Sequence, residues 1–224
     1  QAIFIGTGTA ISKELDIPGK SLNGIMQSSY LLRMISLYNS HQIEREAIPL
    51  ERDDEVIIIG GGNVAMDVAR SAVRYGVKKV TVVYHRKEEN LAALPTEYEA
   101  ACEDGVEFAF ESNSIRYLGN DNVLGGLRVE TPNGEQSLSA DKVFLAIGSH
   151  PADRIVSTTH DIEVDERGYL KTVDRPYGMT TRKGVFAGGD VVHQPATVVL
   201  AMKEAKKVAE GIAAYVDAIE LLAM

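Results

Sequence analysis

One cysteine among 224 residues, Cys102, excludes an internal disulfide framework and any CxxC redox pair. Such scarcity fits a reducing, cytoplasmic setting, and Cys102, within the helical-looking stretch 97–103, is expected to be a buried structural thiol. The chain is also short of positive charge: 23 Lys and Arg against 32 Asp and Glu leave a net charge of −9. That balance argues against non-specific attraction to nucleic acid or to an anionic membrane. No apolar run reaches the length of a membrane span, and no signal-peptide pattern is visible. His41, His85, His150, His160 and His193 are scattered without metal-ligand spacing, and His193 reads as a surface loop residue. Paired catalytic carboxylates are missing too: Asp153, Asp161, Asp165 and Glu166 read as solvated loop charge. The chain does not start with methionine, and Ala2-Ile3-Phe4-Ile5 is already a buried-strand pattern, so these residues are expected to be part of a longer protein.

What is present is concentrated in residues 56–87. Val56-Ile57-Ile58-Ile59 is a continuous apolar strand running into Gly60-Gly61-Gly62-Asn63-Val64-Ala65. An amphipathic helix follows, then a second apolar strand, Val80-Thr81-Val82-Val83-Tyr84, ending at His85-Arg86-Lys87. A glycine triplet alone marks only a turn, but here strand, turn, helix and strand come in the order of a dinucleotide-binding βαβ unit. Gly60 permits the tight turn, Gly62 lets backbone approach a diphosphate, and small Ala65 allows close helix–sheet packing. The helix N-terminus then turns unpaired amides and its dipole toward negative charge. A carboxylate at the end of the second strand would suit the ribose hydroxyls of NAD. His85, Arg86 and Lys87 instead suit the 2′-phosphate of NADP, through charge-assisted hydrogen bonds, although Glu88 and Glu89 follow closely.

The remaining pattern organises around this unit. Ser28–Tyr38 has apolar residues at helical spacing (Leu31, Ile35, Tyr38), with Ser28 or Ser29 as its cap, and 41–55 reads as a largely polar connector. The helix after the glycines carries the stripes Val64-Val68-Ala72 and Ala65-Ala69-Val73 and stops near Gly76. A helix over 96–104, a strand over 106–110, a hairpin around Pro132-Asn133-Gly134 and a buried strand over 143–147 follow. Past Gly148, Val185-Phe186-Ala187 is a short strand before Gly188-Gly189-Asp190, and a long helix is expected from about Pro195. Val198, Met202, Ala205, Ala209, Ile212 and Val216 form its expected core stripe, with Lys203, Lys206, Lys207 and Glu210 off it.

Taken together, Ala2–Gly8, Ile59–Ala65, His85–Pro95, Ala146–Gly148 and Gly188–Met202 make the chain resemble the FAD- and NADPH-dependent small subunits of glutamate synthase. It is similar also to modules of dihydropyrimidine dehydrogenase and NADH-dependent ferredoxin:NADP oxidoreductase. The resemblance implies an α/β fold in which a Rossmann-like NADP-binding domain with an antiparallel hairpin excursion, residues 54–148, is inserted into the remainder of an FAD-binding domain. Residues 1–53 would be part of that FAD domain plus a connector, and 149–224 the return to it. Asp190 would hydrogen-bond the FAD sugar-alcohol or phosphate, and the backbone at Thr197 and Val198 would approach the flavin, with Gly148 and Gly189 near cofactor. The family's upstream glycine-rich βαβ for the ADP half of FAD has no counterpart here, so this chain by itself is expected to hold FAD weakly.

The implied activity is hydride transfer between NADPH and FAD, which needs reacting atoms about 3–3.5 Å apart and no protein general base. Electrons would pass to or from an iron–sulfur partner domain or subunit, in glutamate synthase the large subunit. One cysteine cannot hold such a cluster here. Two alternatives stay open: an enzyme like ferredoxin reductase, and a non-enzymatic NADP-binding module.

Overall fold

The computed structural model describes residues 2–223. In chain order the first half contains β1 (Ile3–Ile5), β2 (Ile11–Ser12), β3 (Ile25–Gln27), α1 (Ser28–Asn39), β4 (Glu55–Ile59), α2 (Asn63–Arg74), β5 (Lys79–Val83), α3 (Pro95–Glu103) and β6 (Glu107–Ala109). Then come β7 (Asn113–Asn120), β8 (Val123–Thr131), β9 (Gly134–Ser139), β10 (Lys142–Leu145), β11 (Ser149–His150), α4 (Arg154–Thr158), β12 (Thr172–Asp174), β13 (Tyr177–Thr180), β14 (Val185–Ala187), α5 (Asp190–His193) and α6 (Val198–Ala223). The chain divides into two compact units, residues 14–147 and residues 1–13 with 148–224. One unit is thus inserted into the other.

The inserted unit is a parallel sheet in the order β3-β10-β4-β5-β6. Its central strand β4 is apolar at consecutive positions because both of its faces are covered, as parallel sheets require. Val56 and Ile58 join a core with Leu31 of α1, Ala65, Met66, Val68, Ala69 and Ala72 of α2, and Ala101 of α3. Ile57 and Ile59 point the other way, into a core with Tyr117, Leu124, Leu127 and Val129. Those residues belong to an antiparallel sheet, β7-β8-β9. The helices therefore cover one face of the parallel sheet and the antiparallel sheet covers the other. Full burial of side chains such as Ile57 and Ile58, 1 % and 0 % exposed, contributes about 1.5–3 kcal/mol each. Gly76, at φ +78°, stops α2 in the left-handed conformation that suits glycine.

The other unit carries a sheet in the order β1-β14-β13-β12, a β2–β11 pair, and the helices α4, α5 and α6. Strand β1 runs parallel to β14, and β13 is antiparallel to both of its neighbours. A core of Ile5, Ile162, Leu170, Val185, Ala187 and Val191 holds it together. Among the described residues, no helix is long and apolar enough to cross a membrane.

Several expectations are corrected. The boundary expected at residues 53 and 54 falls at 13 and 14, and 148 belongs with the second unit. Residues 14–53 join the inserted unit because β3 adds an edge strand beside β10 and Leu31 of α1 packs into the helix-side core. The polar connector over 41–55 is anchored there too, by Ile48 and Leu50, which are 3 % and 2 % exposed. The N-cap position of α1 is held by Gln27 rather than a serine, and Ser28 is already helical and buried. Cys102 is exposed rather than buried, because α3 turns the preceding Ala101 into the core and the next residue lies about 100° further round. In β1 Ile5 is buried whereas Ile3 and Phe4 are exposed, and among the described residues β1 is an edge strand paired with β14.

The expected stripe of α6 is rotated away from the packed face. Val198 and Met202 are 76 % and 59 % exposed, and Ala205 and Ala209 are exposed as well. The helix packs through Val208 and Gly211 instead. At Gly211 a Cβ would overlap the Tyr177 carbonyl oxygen, and Val208 Cγ2 lies 2.7 Å from where a Cβ of Gly178 would stand. Close approach of helix and strand backbones, not the sum of apolar residues, sets the buried face.

Candidate dinucleotide site

Strands β4 and β5 lie side by side in register, Ile59 opposite Val83, so their carboxyl ends open at one edge of the sheet. A crevice at that edge is where open α/β sheets take ligands. Three glycines leave β4 there, each with a different environment. Gly60 has φ +143°, donates its N–H to the Val83 carbonyl at 3.0 Å, and has no room for a side chain, because a Cβ would overlap the Ala146 carbonyl oxygen. At Gly61 a Cβ would stand 2.5 Å from the Tyr84 ring. Around Gly62 the space is open, with nothing within 4 Å of a Cβ.

Gly62 is the N-cap of α2, and no side chain caps the helix. The Gly62 carbonyl accepts from the N–H groups of Ala65 and Met66, so helix bonding begins at Ala65. The amides of Asn63 and Val64 precede the first carbonyl they could use and stand at the helix mouth. Val64 is 47 % exposed and Ala65 fully buried. The Asn63 side chain is engaged: its Oδ1 accepts from Leu94 N–H at 2.8 Å.

That bond is one of several holding the segment after β5 over the glycine turn. The Gly61 carbonyl accepts from Ala92 and Ala93 N–H at 3.0 and 2.9 Å. Tyr84 Oη donates to the Asn90 carbonyl at 2.8 Å, and Tyr98 Oη donates to Glu88 Oε1 at 2.9 Å. Burial and the Glu88 carboxylate push the Tyr98 phenol well above its usual range. Local sequence did not mark Tyr84 as part of this arrangement, since its two roles, ring against Gly61 and hydroxyl on Asn90, are both tertiary.

His85, Arg86 and Lys87 line an open cleft of about 640 Å³ at the same sheet edge. Arg86 Nε donates to His85 Nε2 at 3.2 Å, and the His85 ring meets the Tyr84 ring edge-on at 5.0 Å. The rest of the lining is Glu89, Asn90, Glu111, Asn113, Glu130 and Thr131-Pro132 at the β8–β9 hairpin. Glu111, in the connection between β6 and β7, and Glu130, in β8, are distant in sequence from the cations and join Glu89 as carboxylates of the cleft. Among the described residues, none of these carboxylates lies within ion-pair distance of Arg86 or Lys87. The cations are thus held near, yet not neutralised by, their neighbours.

The other unit holds the remaining predicted residues. Gly148, at φ +94°, accepts from Lys13 N–H through its carbonyl at 2.9 Å. Gly189, at φ +77°, is the N-cap of α5, and Asp190 is the first residue of that helix. Thr197 Oγ1 accepts from Leu200 N–H at 3.3 Å, so Thr197 caps the start of α6, beside the exposed Val198 and Val199. His193, expected on a surface loop, ends α5 and contacts Glu204 at 3.1 Å. Glu204 did not stand out in the sequence, because two of its partners, His193 and Tyr177, lie 11 and 27 residues away.

A glycine turn between parallel strands, in a unit with helices on one sheet face that interrupts the sequence of a second α/β unit, is consistent with a two-dinucleotide-binding-domain flavoprotein fold. The chain belongs to the pyridine nucleotide-disulphide oxidoreductase family, matched over residues 1–205. With Cys102 as its one cysteine, it carries no dithiol in these 224 residues. It is 33 % identical over 239 residues to the glutamate synthase (NADPH) small chain of Halomonas elongata, covering 96 % of this chain and 50 % of that one. Against the glutamate synthase (NADPH) small chain of Escherichia coli K12 the identity is 30 %, with the same coverage of 96 % and 50 %. The beta subunit of NADP(+)-dependent formate dehydrogenase from Moorella thermoacetica is 31 % identical, over 96 % of this chain and 31 % of that one. The chain spans about half the length of the glutamate synthase small chains it matches. Among solved structures, thioredoxin reductase of T. acidophilum superposes with a TM-score of 0.77 at 23 % identity, over 97 % of this chain and 66 % of that one. At that identity the likeness concerns the fold alone.

Proposed function

We propose that this chain is the NADPH-binding and flavin-facing module of an NADPH-dependent flavoprotein oxidoreductase. NADP(H) is held at Gly60, Gly61, Gly62, Asn63, Val64 and Ala65, with its 2′-phosphate at His85, Arg86 and Lys87. FAD is approached by Gly148, Gly189, Asp190, Thr197 and Val198. In this reading residues 14–147 form the NADP(H) unit, and residues 1–13 with 148–224 belong to the FAD unit. One observation carries it: open space at Gly62, an uncapped helix N-terminus and cations without ion-pair partners share one edge of the inserted unit.

Hydride exchange is the chemistry that the two cofactors supply when bound. The protein's contribution is positional and electrostatic. The Asn63 and Val64 amides and the α2 dipole stabilise a diphosphate, which needs the bare backbone of Gly62 for its approach. Arg86 offers a planar fork to a phosphate, and Lys87 a point charge. The bonds from 92–94 to Gly61 and Asn63 keep the turn from opening. At the start of α6, exposed apolar surface and helix amides suit a ring system that gathers negative charge.

The electrons pass to or from an iron–sulfur domain or subunit, a large subunit of the glutamate synthase kind being the partner of matching chemistry. The names of the relatives, small chain and beta subunit, support a role within a larger assembly. The compartment in this reading is the cytoplasm.

Supplying FAD and an artificial acceptor to the intact gene product tests the proposal. NADPH oxidation that saturates with NADPH is the expected result. Saturable NADPH binding without any oxidation would identify a non-enzymatic nucleotide-binding module instead.

A further inference from the structure

Glu204 lies on the packed face of α6 and joins three elements. Its Oε2 accepts from Tyr177 Oη of β13 at 2.6 Å and lies 3.1 Å from His193 Nε2 of α5. Its Oε1 accepts from Lys207 Nζ at 3.2 Å, and Lys207 also sits over the Tyr177 ring, 5.1 Å from its centre. The Glu204 side chain is 16 % exposed, against 50 % for His193 and 44 % for Lys207. Burial opposes its charge, yet the bonds from Tyr177 and Lys207, with the His193 charge, hold the carboxyl below its usual range. Tyr177 and Lys207 are held above theirs, each chiefly by its hydrogen bond to Glu204. The cluster is therefore a mutually stabilised set, not a chance surface contact.

Its place in the fold gives it a use. α5 begins at Asp190 and ends at His193, and α6 begins at Val198. Residues 194–197 between them lie in neither helix nor strand, and Gln194 has φ +73°. The His193–Glu204 contact closes this connection from both sides, and the Tyr177 bond fixes the closed arrangement to the sheet. Asp190, Thr197 and Val198 all lie on the segment so closed.

We propose that Glu204 is the positioning residue of the 190–198 segment, fixing the start of α6 against α5 and β13 and thereby where Asp190 and the first amides of α6 are presented to FAD. The clamp stands on the contacts alone; its use toward FAD rests on the function proposed above.

Residue-resolved amide hydrogen exchange on the whole chain tests the clamp in three forms: wild type, Glu204→Gln and Glu204→Ala. Glutamine keeps an oxygen for Tyr177 and the shape of the side chain. In E204A, exchange at Val192, His193 and Ala201 speeds by about tenfold or more, as expected for loss of bonds to a charged group. E204Q restores a large part of that protection, and Phe186 in β14 and Ile58 in β4 are unchanged. Should E204A not fold, His193→Ala, at a half-exposed position, gives the same pattern at Val192 and Ala201. Unchanged exchange at Val192, His193 and Ala201 overturns the clamp. So does an equal acceleration at Phe186, which would mean general loosening of the unit.

The use toward FAD is read from the visible flavin spectrum of the intact gene product reconstituted with FAD. E204A shifts the flavin bands or weakens FAD retention while NADPH affinity stays unchanged, and E204Q recovers the wild-type spectrum. Wild-type and E204A spectra that coincide overturn that use. A wild-type protein that takes up no FAD overturns both that use and the FAD reading itself, with the exchange data still deciding the clamp.

Discussion

A methyl group added at Gly60 and one added at Gly62 separate the fold from the binding function. In Gly60→Ala the new Cβ overlaps the Ala146 carbonyl oxygen, a backbone atom just past the end of β10 that cannot turn aside. The residue must also keep φ near +143°, where an L-residue is strained. Strain of that kind costs about 1–3 kcal/mol. Relief comes only by shifting β10, at the expense of the 2.8 Å bond from Ala146 N–H to the Ile59 carbonyl, for about 1 kcal/mol more. The sum, about 2–4 kcal/mol, lowers the melting temperature of the inserted unit by roughly 4–16 °C. Gly62→Ala meets nothing within 4 Å and sits at φ −98°, open to any residue. The poorer N-cap and the stiffer unfolded chain nearly cancel, leaving stability within about 0.5 kcal/mol of wild type. Its methyl group occupies the space meant for the diphosphate, so NADPH affinity falls by about tenfold or more. Thermal melts and NADPH fluorescence titrations of the two variants measure both effects. A Gly60→Ala protein that melts with wild type, or a Gly62→Ala protein that binds NADPH unchanged, refutes the reasoning.

Tyr84→Phe keeps the ring against Gly61 and deletes the bond to the Asn90 carbonyl; at about 1 kcal/mol this speeds amide exchange over 88–94 roughly fivefold, and unchanged exchange contradicts the clamped segment. Asp104 accepts from Arg70 Nε at 2.8 Å, and that hydrogen bond holds its carboxyl below the ordinary 3.8 despite opposing burial. Its folded value is depressed, so its contribution is present above pH 3.8 and lost as pH falls below it through the lower folded value. Urea midpoints at pH 7 and pH 3 read this: Asp104→Asn narrows the difference between the two, and an unchanged difference contradicts the assignment. Glu204→Ala, as argued above, opens the 190–198 segment selectively, and Glu204→Gln largely restores it.

Local sequence carried the parallel core and the glycine turn well, because both depend on neighbouring residues. Consecutive β-branched residues in β4 announce a strand covered on both faces, and Gly60 must sit where a strand turns sharply into a helix. The hairpin at Pro132-Asn133-Gly134 was legible for the same reason. Strand β7 was not, since its polar residues and Gly119 carry no alternation, and its pairing with β8 is irregular at two places. Strand β3, three residues long, could not reveal that α1 belongs to the inserted unit. The face of α6 was misread because apolar spacing carries no trace of the close approach of Gly211 to the backbone of β13, which sets the packed side. The site divides similarly. The glycine turn and the basic run stand in local sequence, whereas Tyr84, Glu111 and Glu130 join that candidate site, and Glu204 its own cluster in the other unit, only through tertiary structure.

The central claim is that the edge of the sheet where β4 and β5 end recognises NADP(H), with the glycine turn after β4 at its diphosphate and the cations that follow β5 at its 2′-phosphate. Titrating the chain with NADPH and with NADH at low and high salt, in wild type and in Arg86→Ala, tests it most directly. Wild type binds NADPH about tenfold or more tighter than NADH; that margin shrinks as salt screens the phosphate and disappears in Arg86→Ala, while NADH binding is unaffected. Equal affinities in wild type, or a preference that survives in Arg86→Ala, contradict the account.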